Sequence, residues 1–206
     1  MENKQLGLCL VAIFGLLQFS SASAISLNFV PSNQTVNLNQ SFGVDVVVAN
    51  LGNEIVSAFD LDVVYDPLVL SATDFQFTTN LGSLDPFDFE IFFADSFITP
   101  GRIDFAELSL LSDAELDSRQ GDSVVLGTMT FEAIAVGVSS LIFDPNTFPG
   151  IDIKGRDALR LLNLDVGDGS VTVNAVAVIP LPGAAILMLT GLLGIGVASR
   201  KRKRVV

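Results

Sequence analysis

The sequence predicts one all-β sandwich domain, and three observations carry this prediction. Short segments in which apolar and polar residues alternate recur from residue 41 to residue 178. These segments are rich in β-branched and aromatic residues, and glycine, proline, asparagine and aspartate lie between them. Period-two alternation of this composition is typical of half-buried strands. Many short strands separated by turn signals indicate a sandwich or a barrel.

The most regular strand pattern lies between Val56 and Pro67. One set of alternate residues is expected to face the core: Phe59, Leu61, Val63 and Tyr65. The intervening set is expected to face away from it: Asp60, Asp62 and Val64. Pro67 ends the strand because proline fixes φ, and Asp66 suits a turn because its side chain bonds nearby backbone. We expect Tyr65 to be a core residue with its hydroxyl at the rim.

Other segments carry the same strand signals, and one segment predicts a helix. The further strands are predicted in Ser41–Gly52, Gly101–Leu110, Ser123–Val136, Ser139–Phe143 and Gly169–Val178. The helix is predicted over Leu111–Ser118, where Ser112 and Glu115 have the spacing of a capping box.

Five phenylalanines are concentrated in the segment Asp85–Phe97. In an extended chain one set of alternate residues would share a face, which we expect to be core: Phe87, Phe89, Ile91 and Phe93. Phe92 and Phe97 are then candidate contact aromatics, because exposed large apolar groups mark contact surfaces. The alternative is that all of them are buried or cover a strand edge.

Residues 1–24 have the three parts of a cleaved signal peptide. Lys4 precedes a short apolar run, Leu6–Phe19, and the small residues that follow place Ala22 and Ala24 in an A-x-A arrangement. The run is shorter than the about 20 residues that a spanning helix needs. We therefore predict signal-peptidase cleavage after Ala24, with an uncleaved anchor as the alternative.

Residues 175–206 form a separate C-terminal segment. It carries Pro180, Leu181 and Pro182, then an apolar stretch that we expect to form a transmembrane helix over residues 183–199. Five consecutive basic residues follow it: Arg200, Lys201, Arg202, Lys203 and Arg204. By the positive-inside rule this basic tail stays cytoplasmic, so the domain at residues 25–174 is expected outside.

Composition excludes several function classes for residues 25–174. This region holds 22 acidic and five basic residues, a net charge of −17, which would repel nucleic acid. Histidine is absent and Cys9 is the one cysteine of the chain, so the commonest general base and thiolate chemistry are missing. With no tryptophan and one tyrosine, a stacking platform for sugars is not expected either. We predict a protein that is not an enzyme and holds no cofactor.

The ordered motifs of residues 25–174 resemble the cohesin domain family. The early strand pair of that family is resembled by Ala58 and Phe59, followed by the run Tyr65-Asp66-Pro67 and then Leu70. Later segments resemble its Gly-x-Ile strand, its long strand and its closing strand: "PGRIDFA", "LGTMTFEAIAVGVSSLIF" and "DGSVTV". The resemblance implies a jelly-roll β-sandwich of nine strands, similar to some carbohydrate-binding modules. It also implies a binding module whose usual partners are dockerins.

One segment is similar to a calcium loop. "NLDVGDGS" (Asn163–Ser170) is similar to the loop of EF-hands and dockerins, with Asp165 and Asp168 as candidate ligands. Their spacing is one residue off that loop, and the bidentate glutamate at its twelfth position is lacking. We expect a turn into the last strand and no metal site.

The C-terminal segment resembles the PEP-CTERM sorting signal in its layout of proline motif, apolar span and basic cluster. Leu181 stands where glutamate is usual, so the Val-Pro-Leu-Pro variant of the signal is the closer match. The resemblance implies removal by an exosortase in the inner membrane of a Gram-negative bacterium, and delivery to the cell surface or a biofilm polysaccharide matrix. The alternative is a plain single-pass anchor.

Together these observations predict an exported binding module of the cell surface or extracellular matrix. Its ligand would be a dockerin-like protein or a polysaccharide. A structural matrix protein without a specific ligand is the main alternative. A glycan-active enzyme, the third hypothesis, would need a cleft lined by carboxylates.

Overall fold

A computed structural model describes residues 24–147, 150–161 and 163–176 of the chain. The described part contains twelve strands and one α-helix. The strands are β1 (Ser26–Val30), β2 (Asn33–Asn37), β3 (Ser41–Ala49), β4 (Ala58–Val64), β5 (Leu70–Phe77), β6 (Ile91–Thr99), β7 (Arg102–Ser109), β8 (Ser123–Ala133), β9 (Gly137–Phe143), β10 (Asp152–Lys154), β11 (Asp165–Val166) and β12 (Gly169–Asn174). The helix is α1 (Asp113–Arg119). The predicted all-β sandwich is confirmed.

The first sheet has five strands in the order β11-β1-β3-β8-β5. All neighbours are antiparallel except β1 and β11, which run parallel. The register of β3 against β8 shifts between Val46 and Val47, where the pairing is irregular.

The second sheet has seven strands, and six of them follow the order β2-β12-β9-β4-β7-β6. The seventh, β10, pairs with the first half of β4, while β9 pairs with its last residues. The pair β2 and β12 is parallel and keeps its register from Asn33↔Ser170 to Asn37↔Asn174.

The chain passes from one sheet to the other near its start. Pro31 and Ser32 separate β1, in the first sheet, from β2, in the second. The family resemblance implies nine strands, and the described part has twelve. The division of the first strand into β1 and β2 adds one, and the short strands β10 and β11 add two.

The core lies between the two sheets. The predicted alternation of β4 is confirmed, because Phe59, Leu61 and Val63 are all 2% exposed or less. Aromatic rings pack across the sandwich, with Phe75 and Phe105 stacked at a centroid separation of 4.2 Å. Tyr65 is buried as expected, and its hydroxyl donates to the Thr99 carbonyl oxygen at 3.1 Å.

The helix α1 follows its sequence signals. Ser112 is its N-cap, and the capping box with Glu115 is present. The side-chain amide of Gln120 accepts from the Val56 N–H at 2.8 Å and donates to the Val56 carbonyl oxygen at 2.7 Å, which ties the end of α1 to the segment just before β4. Leu116 is fully buried and fixes the helix to the sandwich.

The prediction that Phe93 faces the core is wrong, because Phe93 lies opposite Leu108 on the outward side of the sheet and is 44% exposed. The prediction is also wrong for Phe87 and Phe89. They are 85% and 77% exposed, and the strand begins only at Ile91. Asp85 prevents an extended chain here, because its carboxylate accepts from the Phe87 N–H at 3.0 Å and its carbonyl from the Asp88 N–H at 3.1 Å. Local side-chain bonds of this kind compete with strand formation.

Glu107 is a buried carboxyl group on the inward side of β7. It is 0% exposed, and neither carboxylate oxygen has a hydrogen-bond partner among the described residues. Burial raises the pKa of Glu107 to about 8. The side chain is therefore mainly protonated and neutral at pH 7.

No helix in residues 24–147, 150–161 or 163–176 combines the length and apolar character needed to cross a membrane. The helix predicted over residues 183–199, its flanking motifs and the signal peptide before Ala24 lie outside the described residues.

Candidate binding surface

Aspartates concentrate on the outward side of the seven-stranded sheet. Strand register places Asp152, Asp60, Ala106 and Asp95 in one row across β10, β4, β7 and β6. The next row contains Asp62, Asp104 and Phe97. We call the outward surface of these four strands the aspartate face.

Apolar side chains flank the carboxylates of this face. On the β6 side the flank consists of Phe93 opposite Leu108, and of Phe97, which is 68% exposed. On the other side Val64 lies opposite Ile142 of β9, which is 39% exposed. A partner would thus meet a charged centre between two apolar margins.

Asp62 is the fixed centre of the face. Its side chain is 4% exposed and binds the Arg102 guanidinium through Nε at 2.7 Å and through the terminal nitrogen at 2.6 Å. The Thr147 hydroxyl donates to the other carboxylate oxygen. Both carboxylate oxygens are therefore engaged, and the charge-assisted bonds fix Arg102 across the strand pair.

Asp60 and Asp104 have raised pKa values. Partial burial is the main cause for both, and the neighbouring carboxylates add to it, chiefly Asp104 for Asp60 and Asp62 for Asp104. The Arg102 charge opposes the shift at Asp104. Because partly desolvated like charges raise the free energy of the unbound surface, a cation placed here by a partner would relieve the repulsion.

Two cations border the face at β10. Lys154 Nζ lies 3.0 Å from one carboxylate oxygen of Asp152, and Arg160 Nε lies 3.2 Å from the other. Asp152 is thus neutralised within the domain. Asp60, Asp95 and Asp104 form no salt bridge among the described residues.

The two candidate contact aromatics lie on and beside this face. Phe97 belongs to it, whereas Phe92 occupies an irregular position in the pairing of β6 with β7. Phe92 is 69% exposed and packs edge-on against Phe93, with ring centroids 6.1 Å apart. Their exposure agrees with the sequence expectation, and their role in binding stays a prediction.

The candidate calcium ligands lie at the far edge of the first sheet. Asp165 is in β11, paired in register with Ser26, and Asp168 precedes β12. The Gly167 N–H donates to the Leu27 carbonyl oxygen at 2.9 Å, so the loop is a connection into the last strand. Within the described part of the chain no three acidic, histidine or cysteine side chains are arranged to hold a metal ion.

A shallow cleft of about 330 Å³ opens between the edge strands β5 and β6. Tyr65, Ile98 and Pro100 are among the residues that line it, and none of its lining residues carries a carboxylate. This cleft therefore lacks the paired acids that the glycan-active alternative requires.

Sequence reasoning missed Glu107, the Asp62–Arg102 pair and the exposed loop phenylalanines. The signal for Glu107 was present, because alternation along β7 puts it on the same side as Ile103 and Phe105. The pairing of Asp62 with Arg102 depends on the register between β4 and β7, which one sequence does not give.

Comparisons with known proteins agree with this architecture. No family model matches the chain, and no curated protein matches it significantly in sequence. A type II cohesin domain from the cellulosome of Acetivibrio cellulolyticus is similar in structure, with a TM-score of 0.58, 20% identity, and 72% of this chain and 95% of that chain covered.

Two type I examples are similar as well. A chain of a cohesin–dockerin complex from Clostridium thermocellum gives a TM-score of 0.57 at 13% identity, over 74% of this chain and 100% of that chain. The seventh ScaB type I cohesin from Pseudobacteroides cellulosolvens gives a TM-score of 0.54 at 16% identity, over 76% of this chain and 95% of that chain. The described domain therefore has a β-sandwich fold that resembles cohesin domains.

Proposed function

We propose that the domain is a non-catalytic module that binds a protein partner through the aspartate face, and that this partner is dockerin-like. The fold supports a binding module, because one similar structure is a cohesin–dockerin complex. The observation that carries the location is the exposed sheet surface in which unpaired carboxylates lie between apolar margins.

The chemistry of the face defines the partner. Asp60, Asp95 and Asp104 require cations opposite them, while Phe97 and Leu108 require an apolar surface. Apolar centres give an interface most of its binding energy, and complementary charges set the association rate and the specificity. The partner therefore presents lysine or arginine opposite the central carboxylates, with apolar side chains on either side of them.

Surface plasmon resonance with type I and type II dockerin modules as probes tests the proposal. We expect one class to bind, with association slowing as salt rises from about 0.1 to 1 M, where the Debye length falls from about 10 to 3 Å. Phe97→Ala should weaken binding by about tenfold or more, as expected at a hot spot.

The control separates local charge from net charge. Asp104→Asn should slow association more than Glu132→Gln, which removes the same charge from an exposed position on β8 of the opposite sheet. Equal effects of the two variants would contradict the location of the site.

Two other functions remain outcomes of the same experiment. Salt-independent binding to a neutral polysaccharide, abolished by Phe92→Ala or Phe97→Ala, would replace the protein partner with a glycan. No binding to dockerins, polysaccharides or a surface fraction would leave a structural matrix role.

We further propose that the chain is exported and sorted. The motif at Ala22 and Ala24 and the C-terminal layout from Pro180 to Arg204 support this proposal. Intact-mass analysis of the mature protein should show an N-terminus at Ile25 and loss of the residues beyond about Pro182. A mature protein that retains Arg200–Arg204 would contradict exosortase processing and favour a plain anchor.

A further inference from the structure

We propose that a second docking surface lies beside the aspartate face, on the loop before β6, and that it binds a protein element with an apolar strip bordered by lysine or arginine. We call it the phenylalanine patch and define it as Leu84, Phe87, Phe89, Phe92, Phe93 and Leu110. Phe93 belongs to both surfaces, and the other five residues of the patch lie outside the aspartate face.

The size of the patch is the first argument. Phe87, Phe89, Phe92 and Phe93 are 85%, 77%, 69% and 44% exposed. At about 200 Å² for each side chain they expose about 550 Å². That value is near the top of the roughly 300–600 Å² that the largest apolar patch of a monomer usually has. It is also most of the about 800 Å² that one partner contributes to a standard interface.

The second argument is that the loop is held in place. Both guanidinium terminal nitrogens of Arg119 bind the Glu90 carboxylate at 2.8 Å, and the Ser83 N–H donates to the same group at 2.7 Å. The Leu110 N–H donates to the Glu90 carbonyl oxygen at 2.7 Å. Glu90 therefore connects the loop to α1 and to the end of β7.

A further hydrogen bond fixes the start of the loop, and Phe89 has an unusual backbone conformation. The Ser109 hydroxyl donates to the Leu81 carbonyl oxygen at 2.5 Å, which ties the start of the loop to β7. Phe89 has a φ of 52°, a left-handed conformation that is unfavourable for an aromatic residue. A surface that is ordered before binding loses less conformational entropy when the partner docks.

Charge decides between the occupants. Asp85, Asp88 and Asp95 lie in or next to the patch, and none of them forms a salt bridge among the described residues. A second copy in a two-fold arrangement would bring these carboxylates against themselves. An anionic lipid surface would be repelled by the same charges and by the net −17 of residues 25–174. A protein element with an apolar strip bordered by lysine or arginine fits both the exposed phenylalanines and the aspartates beside them.

The test uses the full-length protein and three synthetic helical peptides in fluorescence anisotropy. One peptide combines leucine with lysine, one combines serine with lysine, and one combines leucine with glutamate. We expect the leucine–lysine peptide to bind at least about tenfold more tightly than either control, since both apolar contact and positive charge are required.

Variants locate the binding. A double variant with Phe87→Ser and Phe89→Ser keeps the net charge of the protein. It should bind the leucine–lysine peptide no more tightly than the wild type binds the serine–lysine peptide. Leu68→Ser is the matched control, because Leu68 is 77% exposed in a turn outside the patch. Asp104→Asn should leave the peptide affinity within about twofold, which separates this surface from the aspartate face. Since both phenylalanines are exposed, the melting temperature should be unchanged.

Several results would overturn the proposal. Equal binding of the leucine–lysine and serine–lysine peptides would show that charge alone is responsible. Full binding by the phenylalanine variant would place the contact elsewhere. Concentration-dependent dimerisation that the variant loses would identify a second copy as the occupant. Zwitterionic vesicle binding that the variant loses would identify a lipid surface.

Discussion

Asp62 and Glu107 are both almost fully buried, yet their surroundings differ completely. Asp62 lies on the outward side of β4, is 3% exposed and binds Arg102 and Thr147. Glu107 lies on the inward side of the neighbouring strand β7, is 0% exposed, and has no hydrogen-bond partner for either oxygen among the described residues. Burial alone therefore does not determine the charge of a carboxyl group; its partners do.

Position in the sandwich explains the difference. On the outward side a neighbouring strand supplies Arg102, whose guanidinium reaches Asp62 and whose side chain as a whole is 38% exposed. Between the sheets β7 presents Ile103 and Phe105 beside Glu107, and both are fully buried. The inward carboxyl group of Glu107 therefore stays protonated and neutral, because an unpaired charge would be costly between the sheets.

The largest expected effect comes from Glu107→Gln, which replaces the protonated group with a neutral side chain of the same shape. The pKa of Glu107 is raised from 4.5 to about 8 in the folded protein, so the unfolded chain loses this proton at lower pH. Wild-type stability should therefore fall as pH rises from about 4.5 to about 8. At 1.36 kcal/mol per pKa unit the loss is on the order of 4–5 kcal/mol.

Denaturant unfolding of both proteins at several pH values measures this effect. The stability difference between Glu107→Gln and wild type should be near zero at pH 4.5, grow up to about pH 8, and then stay constant. The difference cancels the contributions of the other carboxylates. A difference that does not depend on pH would mean that Glu107 is ionised in the folded protein or that it finds a partner.

Arg102→Met should have the next largest effect, because it leaves Asp62 buried without its cation. Breaking a buried ion pair by removing one partner costs about 3–5 kcal/mol of stability. Because Arg102 is partly exposed, we expect a loss at the low end of this range, about 3 kcal/mol. Adding Asp62→Asn should restore most of the loss, since the amide still accepts from Thr147 and carries no charge. Thermal and urea unfolding of the single and double variants measure this. Absence of recovery in the double variant would show that Arg102 acts by packing alone.

The smallest expected effect is at the partly exposed aspartates. Asp60→Asn should stabilise the domain by about 0.2–0.5 kcal/mol at pH 7, because it removes one of several like charges on neighbouring strands. The gain in stability should disappear at about 1 M salt, because the Debye length is then about 3 Å and the repulsion between the carboxylates is screened. Unfolding at low and high salt measures it, and a gain that persists in salt would not come from charge repulsion.

The sequence predicted the features that depend on local periodicity. Alternation along β4 gave the inward and outward residues, and the spacing of Ser112 and Glu115 gave the helix start, because both signals lie within one segment. The aspartate face could not be predicted in this way, since it requires the register of β10, β4, β7 and β6. The orientation of Phe87 and Phe89 was missed because hydrogen bonds from Asp85 override the alternating pattern there.

The parallel pairing of β2 with β12 has a mechanical consequence. The first strands run from Ser26 to Asn37, and Asn37 pairs with Asn174, so Ala24 and Asn174 lie toward opposite ends of the domain. Tension applied between these two points pulls β2 and β12 in opposite directions along their own axes. Their five register pairs would then share the load in shear and break together instead of opening one at a time. A domain stretched from its two ends would resist extension at this strand pair.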